Sequence, residues 1–279
     1  MLGSVADAED VLQDAWLAWS KADREDVRNP KAYLVRTVTN LSLNRLTSAR
    51  ARRETYVGPW LPEPLLTAPD VAEEAELGDS VSTAMLVVLE SLSPVERAVF
   101  VLREVFGYGH AEIAATLDRP EPTVRQIAHR ARTHVDARRP RFDTDAAQRA
   151  EVTTRFLAAC AGGDLAAVLE VLAPDVTVWT DGGGKVTAAR RPLHGADHAG
   201  RWLVGVLSKP GASLGTVDRV QLNGELGLLV TLPDGQVYGT ITYDIAGGRI
   251  KHLRFQVNPD KLDGVRPRTE RPAGPGAAP

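Results

Sequence analysis

The chain has 279 residues, 43% of them apolar, one cysteine and a net charge of −3. Such a length and apolar share suit two or three packed domains and exclude a disordered chain. The lone Cys160 excludes an internal disulfide framework and a cysteine-based zinc site, and the near-neutral balance excludes a uniformly basic nucleic-acid binder.

The charge is segregated, however. Seven basic residues and no acidic one lie between Arg28 and Arg53, and eight acidic and no basic ones between Trp60 and Glu96. Basic residues lead seven to two between Arg119 and Arg141. Two basic blocks flanking an acidic bridge predict two separate contacts with a polyanion. No apolar run reaches the length of a membrane span and no signal peptide is present, so a cytoplasmic protein without membrane contact is expected.

In chain order, residues 1–57 read as one helical domain. Val11, Leu12, Ala15, Trp16 and Trp19 recur at helical spacing, as do Tyr33, Leu34, Val38, Leu41 and Leu46, with Pro30 at the second helix start. Residues 58–80 read as a linker, proline-rich from Gly58 to Pro69 and then acidic. A second helical domain spans 81–141. In it Ser93 and Glu96 form a capping box, and Phe106-Gly107-Tyr108-Gly109 breaks a helix that carries Val99, Leu102 and Val105.

Next come His110–Leu117, a short turn and Glu121–Val135, a helix-turn-helix pattern. Small Ala114 permits close crossing, while Ile113, Leu117, Val124 and Ile127 supply a shared core. Asp118 occupies the turn, where a left-handed residue is needed and Asp is tolerated. The second helix then exposes Thr123, Arg125, Gln126, His129, Arg130 and Arg132. Arg and Gln can reach base edges in the major groove, and the rest suit phosphates.

From 146 to 262 the pattern changes to two helices (Val152–Ala161 and Leu165–Leu172, stopping before Pro174) followed by alternating strands. This predicts a separate α+β domain with a curved antiparallel sheet, within which Cys160 reads as a buried small hydrophobe. Residues 263–279, rich in Pro, Gly and Ala, read as a disordered tail.

The segment from His110 to Ile127, entered through Leu92-Ser93-Pro94-Val95-Glu96-Arg97, resembles region 4 of bacterial sigma factors, which binds the minus-35 promoter element. The stretch Gly3-Ser4-Val5-Ala6-Asp7-Ala8-Glu9-Asp10-Val11-Leu12-Gln13-Asp14-Ala15-Trp16 resembles the region 2 helix that docks on core RNA polymerase. The resemblance implies a polymerase-facing polar surface of Asp7, Glu9, Asp10, Gln13 and Asp14, with Trp16 packed inward. Tyr33 to Leu46 resembles the helix that melts and reads the minus-10 element. On that reading Lys31, Arg36, Asn40, Asn44 and Arg45 face DNA, Arg50, Arg52 and Arg53 continue the basic face, and the loop around Arg24–Asn29 captures a flipped base.

Three further segments narrow the likeness to extracytoplasmic-function sigma factors with a fused C-terminal SnoaL-like domain. They are Trp60-Leu61-Pro62-Glu63-Pro64, Asp181-Gly182-Gly183-Gly184-Lys185 and Asn258-Pro259-Asp260-Lys261-Leu262. The resemblance implies two all-α sigma domains and an α+β cone. In it the three segments form an interdomain regulatory set, with Trp60 as an exposed aromatic anchor. The expected partners are core RNA polymerase, promoter DNA and a small-molecule ligand of the cone. The sequence departs from the family by lacking the helix that precedes Met1 in region 2, by Asp118 in place of Gly, and by Pro122 early in the recognition helix, where a first turn tolerates it.

Two rival readings are an enzyme (a SnoaL-like isomerase or cyclase with an accessory helical domain) and a one-component ligand-responsive regulator. For catalysis, Asp175, Asp181, His194, His198 and Asp244 are the acid/base candidates, but no pair stands at a telling spacing. His194 and His198 lack a third metal ligand. Asp181–Lys185 lacks the spacing and terminal Ser/Thr of a phosphate loop. The expectation is therefore a non-enzymatic sigma factor with no catalytic residue, metal or cofactor.

Overall fold

The computed structural model describes residues 1–22, 27–53, 56–67, 82–138, 145–208 and 215–265, with backbone alone at 49–53. The described residues fall into two compact units, one within 1–55 and 84–139, the other within 56–83 and 140–279.

The first unit is all helical. Helix α1 (Val5–Lys21) starts where the Ser4 side chain accepts the Asp7 N–H, a common N-cap. It packs on α2 (Pro30–Arg53), and Val11, Leu2 and Leu46 form the buried centre between them. Helix α3 (Thr83–Glu90) leads to α4 (Pro94–Phe100), which opens with the expected capping box: the Ser93 and Glu96 side chains each take the other's backbone N–H. A π turn (Val101–Val105) closes this element. Buried Arg97 donates both terminal nitrogens to Glu90 at 2.9 and 3.0 Å and one to the Met1 carbonyl; burial lowers its pKa to about 10.

Helices α5 (His110–Leu117) and α6 (Glu121–Arg138) form the helix-turn-helix. Asp118 adopts the left-handed conformation at φ 51° and donates its N–H to Ala114, a geometry Asp tolerates better than most side chains. Ile113, Ala114, Val124 and Ile127 pack with Val99 and Leu102 into one core. Val35 of α2 leans on this core, and the Lys31 ammonium lies 5.7 Å from the Tyr108 ring centre.

The second unit begins with α7 (Ala146–Gly162) and α8 (Leu165–Val171), capped by Asp145 and Asp164. Then follow β1 (Leu172–Asp181), β2 (Leu193–His194), α9 (Ala196–Leu207), β3 (Thr216–Leu222), β4 (Glu225–Thr231), β5 (Val237–Ala246) and β6 (Arg249–Gln256). The six strands form one sheet in the order β2-β1-β6-β5-β4-β3. The expected antiparallel sheet needs one correction: β1 and β6 run parallel. Hairpins join β3 through β6, so those pairs are antiparallel, whereas β6 reaches β1 only after the whole intervening chain. Pro174 lies inside β1 rather than beyond a helix end, at a register irregularity between Leu172 and Thr177 that absorbs its missing donor.

The three helices bury Phe156, Val168, Leu203 and their neighbours against Val176, Val178, Tyr243, Ile245 and Leu253 of the sheet. The Tyr243 hydroxyl, buried with this core, shares a 2.6 Å hydrogen bond with Thr153. Burial there also pushes the Cys160 thiol up to about 12, so the half-buried sulfur acts as packing volume. Two short 3₁₀ turns, Pro259–Lys261 and Asp263–Val265, follow β6, and Leu262 and Val265 cover Leu222.

Candidate nucleic-acid interface and linker site

Helix α6 divides cleanly. Val124, Ile127, Ala131 and Val135 face the core, while Arg125, Gln126, His129, Arg130 and Arg132 are exposed and Thr123 is half-buried. Within the free chain the arginines have partners: Arg125 with Glu121 at 2.6 Å, Arg132 with Glu104 at 2.5 Å, and Arg130 with Glu96 at 4.0 Å. Such exposed pairs are weak and easily exchanged for phosphate.

On α2, Arg36, Asn40 and Asn44 stand four residues apart in one exposed stripe, and Lys31 is exposed near the helix start. Arg45 departs from the expected DNA-facing row. Its guanidinium is half-buried and bound to Asp7 at 2.7 Å and to Asp10, which ties α2 to α1. The side chains of Arg50, Arg52 and Arg53, and the loop residues 24–26, lie outside the described residues.

On α1, Glu9, Asp10, Gln13 and Asp14 are exposed, whereas Asp7 is turned to Arg45. The inward placement of Trp16 is overturned: it is 66% exposed, and Leu12, one turn earlier, is 63% exposed. Val11 and Ala15 occupy the inward positions instead. Adjacent helical residues differ by about 100° in direction, so burying 11 and 15 turns 12 and 16 outward. The result is an apolar pair flanked by acidic and amide side chains.

The C-terminal unit carries a buried polar site that the three recognised segments build together. Asp181 is fully buried at the end of β1. Its carboxylate accepts hydrogen bonds from the Tyr56 hydroxyl (2.5 Å), the Leu61 N–H (2.8 Å), Lys261 Nζ (2.7 Å), Gln256 Nε2 (3.2 Å) and the Gly183 N–H (3.2 Å). Lys261 also donates to the Leu61 carbonyl at 2.8 Å. Its ammonium lies 3.9 Å from the Trp60 ring centre and 4.9 Å from that of Tyr56, a cation held by two ring faces and a carboxylate. Burial, reinforced by Asp181, pushes the Tyr56 phenol well above its ordinary pKa, so it remains a donor.

Glycine is required in this loop. A Cβ at Gly183, whose φ is +59°, would lie 2.4 Å from the Asn258 amide nitrogen, which itself donates to Tyr56 at 2.8 Å. Gly182 is equally confined, and Gly184 abuts Val57. Lys185 pairs at the surface with Asp260, Pro259 starts the 3₁₀ turn, and Leu262 is buried. Leu61 and Pro62 are buried and Glu63 half-buried; Trp60, expected as an exposed anchor, is half-buried because its ring receives Lys261. Sequence reasoning missed Tyr56, Gln256 and Asn223, whose partners Asp181, Leu61 and Thr83 lie 125, 195 and 140 residues away.

The acid/base candidates do not converge. Asp175 pairs with Lys251, His194 meets Thr177 at 3.2 Å, and His198 is exposed. Asp244 is buried with Arg254 and His252. Burial alone would raise its pKa, but the Arg254 charge and the His252 hydrogen bond hold it at about 2. By strand alternation Asp244 and Asp181 sit on the sheet face opposite Tyr243 and Val178. Among the described residues no three potential metal ligands cluster, and no helix is long and apolar enough to cross a membrane.

These features meet their counterparts in known proteins. The family model for sigma-70 region 2 matches residues 1–52, and that for sigma-70 region 4 matches residues 82–135. The helical unit is therefore built from the two promoter-reading regions of a transcription initiation factor, a class that associates with core RNA polymerase and promoter DNA. The chain is 38% identical to the ECF RNA polymerase sigma factor SigJ of Mycobacterium tuberculosis (strain ATCC 25618 / H37Rv), over 99% of this chain and 92% of that protein. It is 32% identical to the probable ECF RNA polymerase sigma factor SigI of the same strain, over 95% and 90%. The crystal structure of M. tuberculosis SigJ superposes with a TM-score of 0.72 at 35% identity, covering 94% of this chain and 91% of that one. The chain belongs to the extracytoplasmic-function RNA polymerase sigma factors, with a C-terminal SnoaL-like domain of mixed sheet.

Proposed function

We propose that the SnoaL-like domain controls this sigma factor from within the same chain, taking the place of a separate anti-sigma protein. One observation carries the reading: the segment connecting regions 2 and 4 is bound, through Leu61, Trp60 and Tyr56, to the buried Asp181–Lys261 pair of that domain. A domain that grips the connector biases the relative placement of the two DNA-reading regions. A small molecule, or the tail beyond Leu262, shifts that balance by binding the two arrangements unequally.

In this reading Glu9, Asp10, Gln13 and Asp14, with the exposed Leu12 and Trp16, dock on polymerase in the cytoplasm. Lys31, Arg36, Asn40 and Asn44 meet the minus-10 element, with Arg50, Arg52 and Arg53 beyond them. Thr123, Arg125, Gln126, His129, Arg130 and Arg132 meet the minus-35 element. The domain boundaries follow the same division: 1–57, 58–80, 81–141 and 146–262. The cone carries no chemistry in this scheme, a view supported by the placement of Asp181 and Asp244 in internal ion pairs.

Promoter-directed transcription with core polymerase tests it. Trp60→Ala, and truncation after Leu262 (which also removes buried Val265), should each change output while both parts stay folded. Unchanged output from both variants overturns the reading.

A further inference from the structure

A second grip on the connector lies four residues beyond Leu61, at the β3–β4 turn. Asn223 stands there at φ 50°, followed by Gly224 at φ 77°, the pairing of left-handed residues that a two-residue hairpin turn demands. Turn geometry accounts for the backbone but not for the side chain, which is 7% exposed and spends both ends of its amide on the connector. Its oxygen accepts the Leu65 N–H at 3.2 Å, and its nitrogen donates to the Thr83 hydroxyl at 3.0 Å. The backbone adds three bonds: Asn223 N–H to the Leu65 carbonyl at 2.9 Å, Gly224 N–H to the Thr67 hydroxyl at 2.9 Å, and Thr67 N–H to the Gln221 carbonyl at 3.1 Å. Next to the turn, the Glu225 carboxylate, whose pKa burial raises, also holds the Ser82 hydroxyl. One amide thus brings together residue 65, within the connector, and residue 83, at its far end.

The consequence is geometric. Tyr56 follows the end of α2 by three residues, and Thr83 is the first residue of α3. With Tyr56 held at Asp181 and Thr83 held at Asn223, the end of region 2 and the start of region 4 are both anchored to one folded domain. Regions 2 and 4 are also packed together, with Val35 on the α4–α6 core. The elements at minus-10 and minus-35 lie about 25 base pairs apart by name, on the order of 85 Å along B-form DNA. Chain from Leu65 to Thr83 can span at most about 60 Å when released, and from Arg53 to Thr83 about 100 Å. Neither length is usable while the Asn223 amide holds residues 65 and 83 together.

We infer that Asn223 is a positioning residue that sets how far regions 2 and 4 can separate, and that its bond to Thr83 must break before both promoter elements are engaged together. The inference rests on the sigma reading of the helical unit and adds to it a specific restraint outside the Asp181 site.

The test uses the full chain with Cys160→Ser and dye pairs on Lys21→Cys and Arg138→Cys, both exposed, to read the distance between regions 2 and 4. Asn223→Gly keeps the left-handed turn and removes the amide; Thr83→Val removes only the hydroxyl, and Thr83→Ser restores it. Both disabling variants should raise the separated population about tenfold, the effect of losing one to two buried hydrogen bonds, with Thr83→Ser matching the parent. At limiting core polymerase they should also transcribe more from a promoter carrying both elements. Distance distributions identical to the parent in both Asn223→Gly and Thr83→Val overturn the inference. Thr83→Val lies outside the β3–β4 turn, so it decides the matter if Asn223→Gly does not fold. Core polymerase binding by the parent chain is measured in parallel: its failure would count against the sigma reading, while a distance shift would still establish the restraint.

Discussion

Lys261 and Trp60, 201 positions apart in the chain, meet with the ammonium 3.9 Å from the indole ring centre. That contact is attractive on its own, yet it depends on Asp181, which accepts from the same ammonium at 2.7 Å. Removing one member of a buried ion pair leaves the other charge stranded, at a cost of about 3–5 kcal/mol. Asp181 keeps four other donors when Lys261 is lost, whereas loss of Asp181 takes from Lys261 the buried carboxylate at 2.7 Å and from the Leu61 N–H its acceptor. Asp181→Ala should therefore lower the midpoint of thermal unfolding more than Lys261→Met does. Hydrogen exchange at the Leu61 amide, whose acceptor is Asp181, should accelerate in Asp181→Ala and stay slow in Lys261→Met.

The turn of the helix-turn-helix invites the opposite kind of change. Asp118 sits at φ 51°, a conformation that costs a side-chain-bearing residue more than glycine. Asp118→Gly should stabilise the helical unit by about 0.5–1 kcal/mol in denaturant titration, and Asp118→Val should destabilise it by at least as much. Equal midpoints for the two variants would show that the backbone conformation is not what matters there.

Acid should loosen the C-terminal domain in a defined window. The folded pKa of Asp244 is depressed to about 2 from an ordinary 3.8, so its contribution is complete above about pH 4 and disappears as pH falls toward 2. The amount is on the order of 2 kcal/mol. Asp244→Asn should flatten the pH dependence of unfolding between pH 4 and 2 and lower stability at neutral pH, where Arg254 and His252 lose their carboxylate.

The exposed side of α6 offers a test of how promoter sequence is read. Gln126 has no ion-pairing role and can offer both a donor and an acceptor to a base edge. Gln126→Ala should cost about 1–3 kcal/mol on the cognate minus-35 site and relax preference at a single base position. Arg130→Ala should instead weaken all duplexes alike and reduce the salt dependence by about one counterion. Binding titrations over a salt series on cognate and scrambled duplexes separate the two effects.

Local signals were the ones legible in the amino-acid order. The capping box at Ser93 and Glu96, the left-handed Asp118 and the two-faced α6 depend on residues within a few positions of one another, and they form as their spacing suggests. The parallel pairing of β1 with β6 was not legible, because period-two alternation carries no information about strand direction. Trp16 misled for a related reason: a large aromatic draws the inward assignment, but close approach of α1 and α2 favours small Ala15 at the contact. At the Asp181 site the three recognised segments do come together, yet Tyr56 and Gln256 joined them unannounced, since a lone polar residue discloses nothing about a partner on a distant strand.

The residues that dock beside the β3–β4 turn also cover one end of an edge strand, a hazard common to open sheets. β3 is the outermost strand, and one neighbour, β4, satisfies only one of its sides. Leu66 bridges Leu222 across the other side, while Gln221 and Asn223 bond Thr67 and Leu65. An uncovered row of such backbone groups is a template on which a second chain can add a strand. The connector therefore also shields the Leu222 end of this edge, and lifting it would bare the backbone of Gln221 to Asn223. A sigma factor switched on in this way would be safe only while polymerase is at hand, and an excess of the released form should dimerise or precipitate before it unfolds.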